Sequence, residues 1–450
     1  MSKRRGQRIP QGLYTATVHN LSHEGRGVAH IEGKTTFISG ALQGETVEFH
    51  YTKSHGRFDE GRLDQVVASA NTHRATPPCP HFALCGGCSL QHVEHDEQLR
   101  LKQTWVAEQF DHIAKAPPHA WMPTLEGPIF GYRRKARLSL KWVEKKGGLI
   151  LGFHEKDYGH FVTPIEKCMV LHPKVGEHLT EIRDLIGSLS VAMHIPQLEV
   201  AVGDDHSAIV VRHTEPFTPD DQAKLIAFGD THQFKIFSQA AGPDSIRLLN
   251  YPDDSPLLRY RLEAFNLDIY FHPTDFTQVN FGMNQAMVAK AVEWLDPQPT
   301  DTILDLFCGL GNFTLALATR AKHVVGVEGS AVMVERAQLN AERNHITNCE
   351  FHAADLTKPM TPDWAQRHYD KILLDPARTG AQEIVQLIDT WSPERIVYVS
   401  CNPATLARDI DILVNQHGYE FQSAGIMDMF PHTTHVETMA VFTRKSHGKN

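Results

Sequence analysis

The sequence predicts an α/β protein whose carboxyl-terminal part is a parallel sheet covered by helices on both faces, preceded by a small antiparallel β-barrel. Three observations predict this fold. After about Phe276, apolar strands alternate with amphipathic stretches of helical length. From Gly12 to Ala68, short runs alternate apolar and polar residues between glycines. The 450 residues exceed what one core usually serves. We therefore predict three domains, a barrel at 10–70, a central α+β domain at 71–270 and the parallel-sheet domain at 271–450.

Composition limits the possible classes of protein. The hydrophobic fraction is 41% and the charged fraction 22%, as in ordinary globular proteins, and no run of about 18 apolar residues occurs. The basic start of the chain leads into no apolar signal segment, so we expect no membrane span and a cytoplasmic protein. The seven cysteines are too few for a disulfide framework of this size, which favours metal binding or thiol chemistry in a reducing compartment.

The net charge of −9 means that any contact with a polyanion must use local basic patches. Two patches are candidates: the tail Met1–Arg8, and Tyr132–Arg137 followed by Lys141, Lys145 and Lys146. Each could also be a solvated charged face. The barrel is equally open, because small barrels often bind looped RNA but also serve as structural modules.

The carboxyl-terminal elements follow from the apolar runs. Predicted strands are Thr302–Phe307, His323–Val327, Cys349–Ala353, Lys371–Leu374 and Arg395–Val399. Predicted helices are Ala331–Asn344, Ala381–Thr390 and Ala404–Gln416. No helix is evident between Tyr419–Met427 and Val436–Arg444, so we predict that these two form a final antiparallel pair.

A glycine loop, Asp305–Phe313, directly follows a buried strand and places Gly309 and Gly311 where a ligand could approach the backbone. The next strand ends in Glu328, at about the 20-residue spacing of an acid that receives ribose hydroxyls. The third glycine of a dinucleotide fingerprint is absent, which favours adenosine carrying an amino-acid tail, with Asp355 beside the adenine. A nucleotide cofactor and a purely structural turn remain alternatives.

Three further residues lie where strands end. Cys401 lies in Ser400–Pro403, at the sheet edge where open α/β folds bind ligands, although a free cysteine is often only a small buried side chain. Asp375 ends the neighbouring strand in the same way. Glu437 would be a costly charge inside an apolar strand unless it is paired or functional. We therefore predict Cys401 as a nucleophile and Glu437 as its partner base.

With these residues assembled, the chain resembles the RNA uracil-5 methyltransferase family over essentially its full length. The motifs that carry the resemblance are Phe276–Asn280, Asp305–Phe313, Leu374–Arg378, Ser400–Pro403 and His432–Glu437. The resemblance implies a class I methyltransferase domain with a Rossmann-like fold. It also implies an S-adenosylmethionine site lined by Gln278, Phe307, Asn312, Glu328, Asp355 and Asp375.

The resemblance also implies the chemistry of Cys401 and Glu437. Uracil C5 is a poor nucleophile, and a thiolate that adds to C6 raises the electron density at C5 so that it can attack a sulfonium methyl group. A base, here Glu437, must then remove the C5 proton before the thiolate can leave. The target base must be flipped out of folded RNA to reach the site.

Four other cysteines form a separate set, Cys79, Cys85, Cys88 and the distant Cys168. The spacing of the first three fits zinc or an iron–sulfur cluster equally well. The resemblance implies a [4Fe–4S] cluster, which we expect to stabilise the fold, with contact to RNA as a second role.

The barrel resembles a TRAM domain, which is OB-like, and its combination with the cysteine set implies the family branch that methylates 23S ribosomal RNA. We therefore expect a monomeric enzyme acting on a 23S rRNA stem-loop. Two rivals are a non-catalytic RNA-binding assembly factor and a redox protein. The presence of both Cys401 and Glu437 disfavours the first, and four apparent cluster ligands disfavour the second.

Overall fold

The computed structural model describes residues 9–251, 254–358 and 361–445. Contacts divide the chain into two compact units. The first extends to Ala83 and includes Gly87–Trp105 and His432–Thr434, and the second comprises the remaining residues. The basic tail Met1–Arg8 lies outside the described residues. No helix in the described ranges is both long enough and apolar enough to span a bilayer.

The first unit is built on a six-stranded sheet with the strand order β1-β5-β6-β4-β3-β2. Its strands are β1 (Tyr14–Thr17), β2 (Asn20–Leu21), β3 (Arg26–Ile31), β4 (Lys34–Ser39), β5 (Glu45–Ser54) and β6 (Phe58–Ser69). Alternate residues, including Val47 and Phe49 of β5, fill a small core. The predicted antiparallel arrangement is wrong for one pair, because β4 and β6 are parallel. Alternation of apolar residues identifies the buried face but not the direction of the neighbouring strand.

Helix α1 (His95–Gln109) follows the sheet, and a π-helical turn extends it to Ala114. The second unit then begins with a six-stranded sheet, ordered β13-β12-β11-β10-β8-β9. The strands of this part are β7 (Ala120–Trp121), β8 (Lys135–Val143), β9 (Gly148–Gly152), β10 (Gln197–Val202), β11 (Ser207–Arg212), β12 (Phe234–Gln239) and β13 (Ile246–Leu248). Its helices are α2 (Pro173–Gly176), α3 (Leu179–Gly187) and α4 (Pro219–His232). Apolar side chains of α3 and α4 pack on the sheet in one core.

The hairpin of β14 (Leu258–Leu262) and β15 (Leu267–Phe271) leads into the carboxyl-terminal part. The strands there are β16 (Thr302–Leu306), β17 (His323–Glu328), β18 (Cys349–Ala353), β19 (Lys371–Leu374), β20 (Arg395–Ser400), β21 (Tyr419–Met427) and β22 (Glu437–Arg444). The helices are α5 (Phe281–Leu295), α6 (Thr314–Ala318), α7 (Ala331–Arg343), α8 (Gln382–Gln386), α9 (Ile388–Trp391) and α10 (Pro403–Asp411).

The strand order of this sheet is β18-β17-β16-β19-β20-β22-β21-β7. The directions of its strands confirm the predicted α/β class. Strands β16 to β20 run parallel, and β22 joins β20 and β21 antiparallel, as predicted for the final pair. Neighbouring residues of one strand enter two different cores: Ile303 packs in one layer and Leu304 in the other. Burial on both faces explains the continuous apolar runs in the sequence.

Two predicted helices differ in detail from the structure. The segment predicted as Ala381–Thr390 is divided into α8 and α9, because Leu387 has a ψ of 6° and leaves helical geometry. The segment predicted as Ala404–Gln416 is α10 followed by a π-helical turn, Ile412–Gln416. Neither change moves the strand ends at which the candidate residues lie.

Candidate active site

The order of the parallel strands reverses between β16 and β19. Strands β17 and β18 lie on one side of β16, whereas β19 and β20 lie on its other side. Open α/β sheets bind ligands at the carboxyl edge beside such a reversal. Phe307 follows β16, Asp375 follows β19, and Cys401 follows β20. The topology therefore places three candidate residues along one sheet edge.

The glycine loop begins with a backbone conformation that side chains rarely adopt. Phe307 has a φ of 67°, and Gly309 and Gly311 have φ values of 55° and 85°. The Phe307 and Cys308 amides both donate to the carbonyl of Val327, at 2.8 and 3.0 Å, and this pair of bonds holds the turn against β17. A strained turn that hydrogen bonds hold in place in this way is typical of a ligand-binding loop.

Glu328, the last residue of β17, holds the same loop from the side. Its Oε2 accepts a hydrogen bond from the Gly309 amide at 3.1 Å, and its Oε1 accepts one from the Ser330 amide at 3.1 Å. A carboxylate can accept about four hydrogen bonds, so lone pairs remain for a ribose hydroxyl. The Glu328 carboxylate, which is predicted to bind the ribose, is thus fixed in position before the cofactor binds.

Asn312 belongs to a network that sequence spacing gave no means of finding. Its Oδ1 accepts hydrogen bonds from the Tyr260 hydroxyl at 2.8 Å and from Asn284 Nδ2 at 3.1 Å. Its Nδ2 donates to Asn284 Oδ1 at 2.8 Å. Tyr260 and Asn284 are both buried. The only available signal was that Asn284 is polar on the buried face of the otherwise apolar helix α5.

Gln278 lies in the segment between β15 and α5 and is half-buried. The segment is anchored at two points: the Arg134 amide donates to the Val279 carbonyl at 2.8 Å, and Asn280 caps α5 by accepting from the Met283 amide at 3.1 Å. Among the described residues, the Gln278 amide has no hydrogen-bond partner. It is therefore available for a ligand.

Asp355 is placed differently from the other predicted cofactor residues. Its side chain is exposed and accepts hydrogen bonds from the Thr357 amide at 3.1 Å and hydroxyl at 2.6 Å, and it pairs with Lys358 at 2.9 Å. These hydrogen bonds lower the pKa of Asp355 to about 2. Asp355 thus closes its own turn after β18, and its assignment to the adenine stays a prediction.

Asp305 is a buried acid of the glycine-loop motif that was not predicted as a site residue. It is fully buried in β16, and burial raises its pKa to about 8 although Thr314 donates a hydrogen bond to it. Its Oδ1 has no partner among the described side chains and backbone groups. A buried carboxyl oxygen without a donor beneath the loop is consistent with a polar ligand at this place.

Cys401 and Glu437 lie at the ends of two antiparallel strands. The last residue pair in register between β20 and β22 is Ser400 with Thr438, and Cys401 and Glu437 are the next residues outward on either side. Cys401 is half-buried and Glu437 is buried. The register therefore brings together the two residues that the sequence predicted as nucleophile and base.

Electrostatics couples these two residues to Asp375. Burial, with a contribution from Asp375, raises the pKa of Glu437 to about 8. Burial, followed by the charges of Glu437 and Asp375, raises the pKa of Cys401 to about 11, and Arg378 opposes this. Burial raises the pKa of Asp375 itself to about 7. Three acids held near their neutral forms at one edge are typical of a proton-transferring site.

Asn402 ties the Cys401 turn to the strand next to it. Its Oδ1 caps α10 by accepting from the Ala404 amide at 3.1 Å, and its Nδ2 donates to the Arg378 carbonyl at 2.9 Å. Thr405 Oγ1 donates to the same carbonyl at 3.2 Å. The loop that carries Asp375 and Arg378 is thereby fixed relative to Cys401.

Two cysteines of the predicted cluster, Cys85 and Cys168, belong to the second unit. In the second unit, Cys85 is buried and Cys168 half-buried against the same apolar core. The backbone around each is close-packed: a side chain at Gly86 would meet the His154 carbonyl at 2.8 Å, and one at Gly176 would meet the Cys168 carbonyl at 2.3 Å. Both cysteines thus lie in close-packed surroundings beside the same apolar core.

Comparison with known proteins decides the family. Residues 262–445 match the tRNA (uracil-5-)-methyltransferase family model, and residues 13–63 match the TRAM domain. A 23S rRNA (uracil(1939)-C(5))-methyltransferase RlmD from Hahella chejuensis is 48% identical over 99% of this chain and 100% of its own length. The chain belongs to the RNA uracil-5 methyltransferase family. The enzyme of the same name from Methylococcus capsulatus is 47% identical over 98% of this chain and 99% of its own length.

A solved structure supports the fold of this family member. The tRNA (uracil-54, C5)-methyltransferase of Pyrococcus abyssi, in complex with S-adenosyl-L-homocysteine, superposes with a TM-score of 0.71 at 23% identity. The match covers 96% of this chain and all of the archaeal one. The predicted class I methyltransferase fold with an amino-terminal TRAM domain is therefore confirmed.

Proposed function

We propose that this protein methylates carbon 5 of a uridine in 23S ribosomal RNA, with S-adenosylmethionine as the methyl donor. The observation that carries the proposal is the register of β20 and β22, whose last pair is Ser400 with Thr438. Cys401 and Glu437 are the next residues outward, at the carboxyl edge where the glycine loop begins. The two relatives support this substrate, because both are 23S rRNA (uracil-C5)-methyltransferases and both match nearly the whole chain.

The residues at the strand reversal suit the cofactor. The Glu328 carboxylate, held by the Gly309 amide, offers polar groups for the ribose, Phe307 offers an apolar ring, and Asn312 and Gln278 offer side-chain amides for the amino-acid tail. We assign Asp375 to the same site and keep Asp355 as the proposed adenine contact. When bound, S-adenosylmethionine supplies an electrophilic methyl group.

The proposed reaction begins when the Cys401 thiolate adds to C6 of the flipped-out uracil, which makes C5 an enolate carbon. C5 then takes the methyl group from the sulfonium sulfur, which keeps the electron pair of the broken S–C bond and leaves as S-adenosylhomocysteine, and the original hydrogen of C5 has to leave as a proton. Glu437 accepts that proton as a carboxylate, and the electron pair of the C5–H bond re-forms the C5–C6 double bond as the Cys401 sulfur departs. A raised pKa suits Glu437 to this role, because it makes the carboxylate a stronger base near neutral pH.

The remaining assignments concern the metal cluster, the oligomeric state and the location of the enzyme. We propose a [4Fe–4S] cluster held by Cys79, Cys85, Cys88 and Cys168 as a folding element, in an enzyme that works as a cytoplasmic monomer on an rRNA stem-loop. The domain boundaries stay those of the sequence, 10–70, 71–270 and 271–450. The TRAM match at 13–63 supports an RNA-binding role for the first of them.

Two variants test the function. Cys401→Ala should abolish transfer of labelled methyl to 23S rRNA from cells that lack the enzyme, while S-adenosylmethionine binding persists. Glu437→Gln should accumulate a covalent protein–RNA adduct that survives denaturation, because addition and methylation proceed but proton removal does not. Full activity of Cys401→Ala would overturn the mechanism.

A matched control separates the enzyme from a non-catalytic RNA-binding factor. Cys349 is another half-buried cysteine of the same sheet, in β18, away from the β20 and β22 strand ends. Cys349→Ala should methylate rRNA like the natural protein. RNA binding with no methyl transfer by the natural protein itself would favour the assembly-factor alternative.

A further inference from the structure

Strand β8 presents polar and charged side chains on one face. Arg137, Ser139 and Lys141 point away from the core, whereas the alternate residues Leu138 and Leu140 are buried in it. Side chains on one face of a strand are about 7 Å apart. The exposed face of β8 therefore offers cations at intervals along a line.

This face begins beside the proposed cofactor site. Lys135, at the start of β8, donates a hydrogen bond from its Nζ to the carbonyl of Asp275, the residue before the Phe276–Asn280 motif. From Lys135 to Lys141 the strand covers about 20 Å. The line of exposed side chains thus leads outward from the segment that holds Gln278.

Three exposed rings lie at the far end of the line. Tyr158 and Phe161 are 49% and 47% exposed, and His160 lies between them in sequence. The His160 and Phe161 ring centroids are 4.1 Å apart, those of Tyr158 and Phe161 6.2 Å, and Lys141 Nζ is 6.0 Å from the Phe161 centroid. Exposed rings in mutual contact, with a cation over one of them, form a stacking platform of the kind that binds bases.

Backbone bonds hold the aromatic loop in place. The Phe161 amide donates to the Tyr158 carbonyl at 2.8 Å, and the Glu155 amide donates to the Phe161 carbonyl at 3.0 Å. His154 and Val162 form an isolated antiparallel bridge. The rings therefore need little ordering on binding, which lowers the entropic cost of a contact.

The charge of this segment is opposite to that of the whole protein. Between Arg137 and Lys167 there are six lysines and arginines and four acids, in a chain with a net charge of −9. Part of the positive charge is compensated, since Arg137 pairs with Glu199 at 2.9 Å. A locally basic surface with interleaved rings fits a polyanion that carries aromatic bases, and it does not fit an apolar protein partner.

We propose that the exposed face of β8 and the Tyr158–Phe161 loop together bind a single-stranded segment of the RNA substrate. Its phosphates contact Arg137 and Lys141, and its unstacked bases lie on Tyr158 and Phe161. A duplex would keep its bases stacked and offer none to these rings, so the surface selects a looped or unpaired segment next to the target uridine. This assignment rests on the proposed function, because it takes the substrate to be RNA.

The test measures RNA affinity of the full-length protein by fluorescence anisotropy. The probes are a labelled single-stranded 23S fragment and a fully paired duplex of the same length. The double variant Tyr158→Ala/Phe161→Ala should bind the single strand at least about tenfold more weakly, since each stacked base contributes substantially. The duplex should bind the variant and the natural protein alike. Lys141→Ala should weaken binding and reduce the salt dependence by about one counterion.

Two further variants serve as controls. Trp142→Ala removes a partly exposed ring from the opposite face of the same strand and should leave RNA affinity unchanged. Phe161→Tyr keeps a ring at the platform and should retain affinity, which separates stacking from loss of the loop's fold. Affinity for S-adenosylmethionine should be unchanged in all four variants.

Unchanged single-strand binding by the double variant would overturn the inference, and so would an equal loss of duplex binding. A defect that appeared only with ribosomal precursor particles and not with naked RNA would point to a protein partner and would also overturn it. Failure of the proposed function is distinguishable: it would show as absent methyl transfer by the natural protein, whatever the RNA affinity of the platform variants.

Discussion

The hydroxyl of Tyr260 determines which way the side-chain amide of Asn312 faces. A tyrosine hydroxyl 2.8 Å from Asn312 Oδ1 donates its proton, and Asn284 donates to the same oxygen at 3.1 Å, so the carbonyl end of the amide is held on that side. Asn312 Nδ2 donates one of its two protons to Asn284 Oδ1. Within the described part of the chain the second Nδ2 proton has no acceptor, and its direction is set by residues from β14 and α5.

Tyr260→Phe should therefore weaken cofactor binding more than it slows chemistry. Loss of the hydroxyl removes a hydrogen bond with a net contribution of about 1 kcal/mol, which corresponds to roughly a fivefold change in affinity. We expect KM for S-adenosylmethionine to rise several-fold with kcat little changed. Isothermal titration with S-adenosylhomocysteine checks the binding directly. The matched control is Tyr270→Phe, a half-buried tyrosine of the neighbouring strand β15, and equal effects in both variants would contradict a specific role for Tyr260.

Activity should rise with pH through the neutral range. Glu437 can accept the C5 proton only as a carboxylate, and its pKa of about 8 means that the competent form increases as the pH passes from 7 to 9. The Cys401 thiolate increases in the same direction, since its pKa is about 11. The quantity to measure is kcat/KM for RNA, which reports the free enzyme. A profile that fell between pH 7 and 9, with the protein still folded, would contradict both assignments.

The same carboxyl should reduce folding stability at alkaline pH. Glu437 has its ordinary pKa when unfolded and a raised pKa when folded, so between pH 4.5 and about 8 the folded state binds more protons than the unfolded state. Stability then falls as pH rises across that window. Glu437→Gln should raise the unfolding midpoint at pH 8 and have little effect near pH 4.5. A midpoint difference that did not change with pH would mean that Glu437 is not buried as an acid.

Much of the sheet could be predicted because its strands are buried on both faces. Lys371–Leu374 is buried along its length and has the predicted bounds, since a short apolar run between turns admits few alternatives. The edge strand Cys349–Ala353 also has the predicted bounds, although of its residues Phe351 alone is buried. The division of Ala381–Thr390 into two helices could not be read from its pattern, because it depends on the backbone at Leu387. The parallel pairing of β4 with β6 was equally hidden, since alternation is the same in either direction.

The candidate site could be predicted only where a motif adjoins a strand end. Cys401, Asp375 and Glu328 each follow or end a buried strand, and position alone indicated them. Tyr260 and Asn284 contact Asn312 across 52 and 28 residues of sequence, and no spacing rule connects them. For Asp355 the local sequence indicated a turn instead. In an Asx turn an aspartate side chain accepts from the backbone amide two residues later, which here is that of Thr357.

Asn402 offers a test of how the nucleophile is positioned. Asn402→Ser and Asn402→Asp can both cap α10. The aspartate has no donor for the Arg378 carbonyl, and the serine hydroxyl lies one bond closer to the backbone than Nδ2, which donates to that carbonyl at 2.9 Å. We expect both to lower kcat several-fold with an unfolding midpoint close to that of the natural protein. Only the aspartate adds a negative charge beside Cys401, so its pH–rate profile should shift further to alkaline pH. Normal kcat in Asn402→Ser would show that the bond to Arg378 is dispensable.

The proposed cluster predicts a loss of iron that follows individual cysteines. Cys79→Ser, Cys85→Ser, Cys88→Ser and Cys168→Ser should each lower the iron content per chain and the visible absorption of anaerobically purified protein, because a hydroxyl replaces a thiolate ligand. Cys308→Ser is the matched control within the catalytic sheet, since Cys308 is buried in the glycine loop and its thiol pKa is raised well above the usual value by burial, which disfavours a thiolate. Zinc in place of iron, bound through the same four cysteines, would contradict the cluster type while leaving its ligand set intact. Equal iron content in all five variants would remove the ligand set as well.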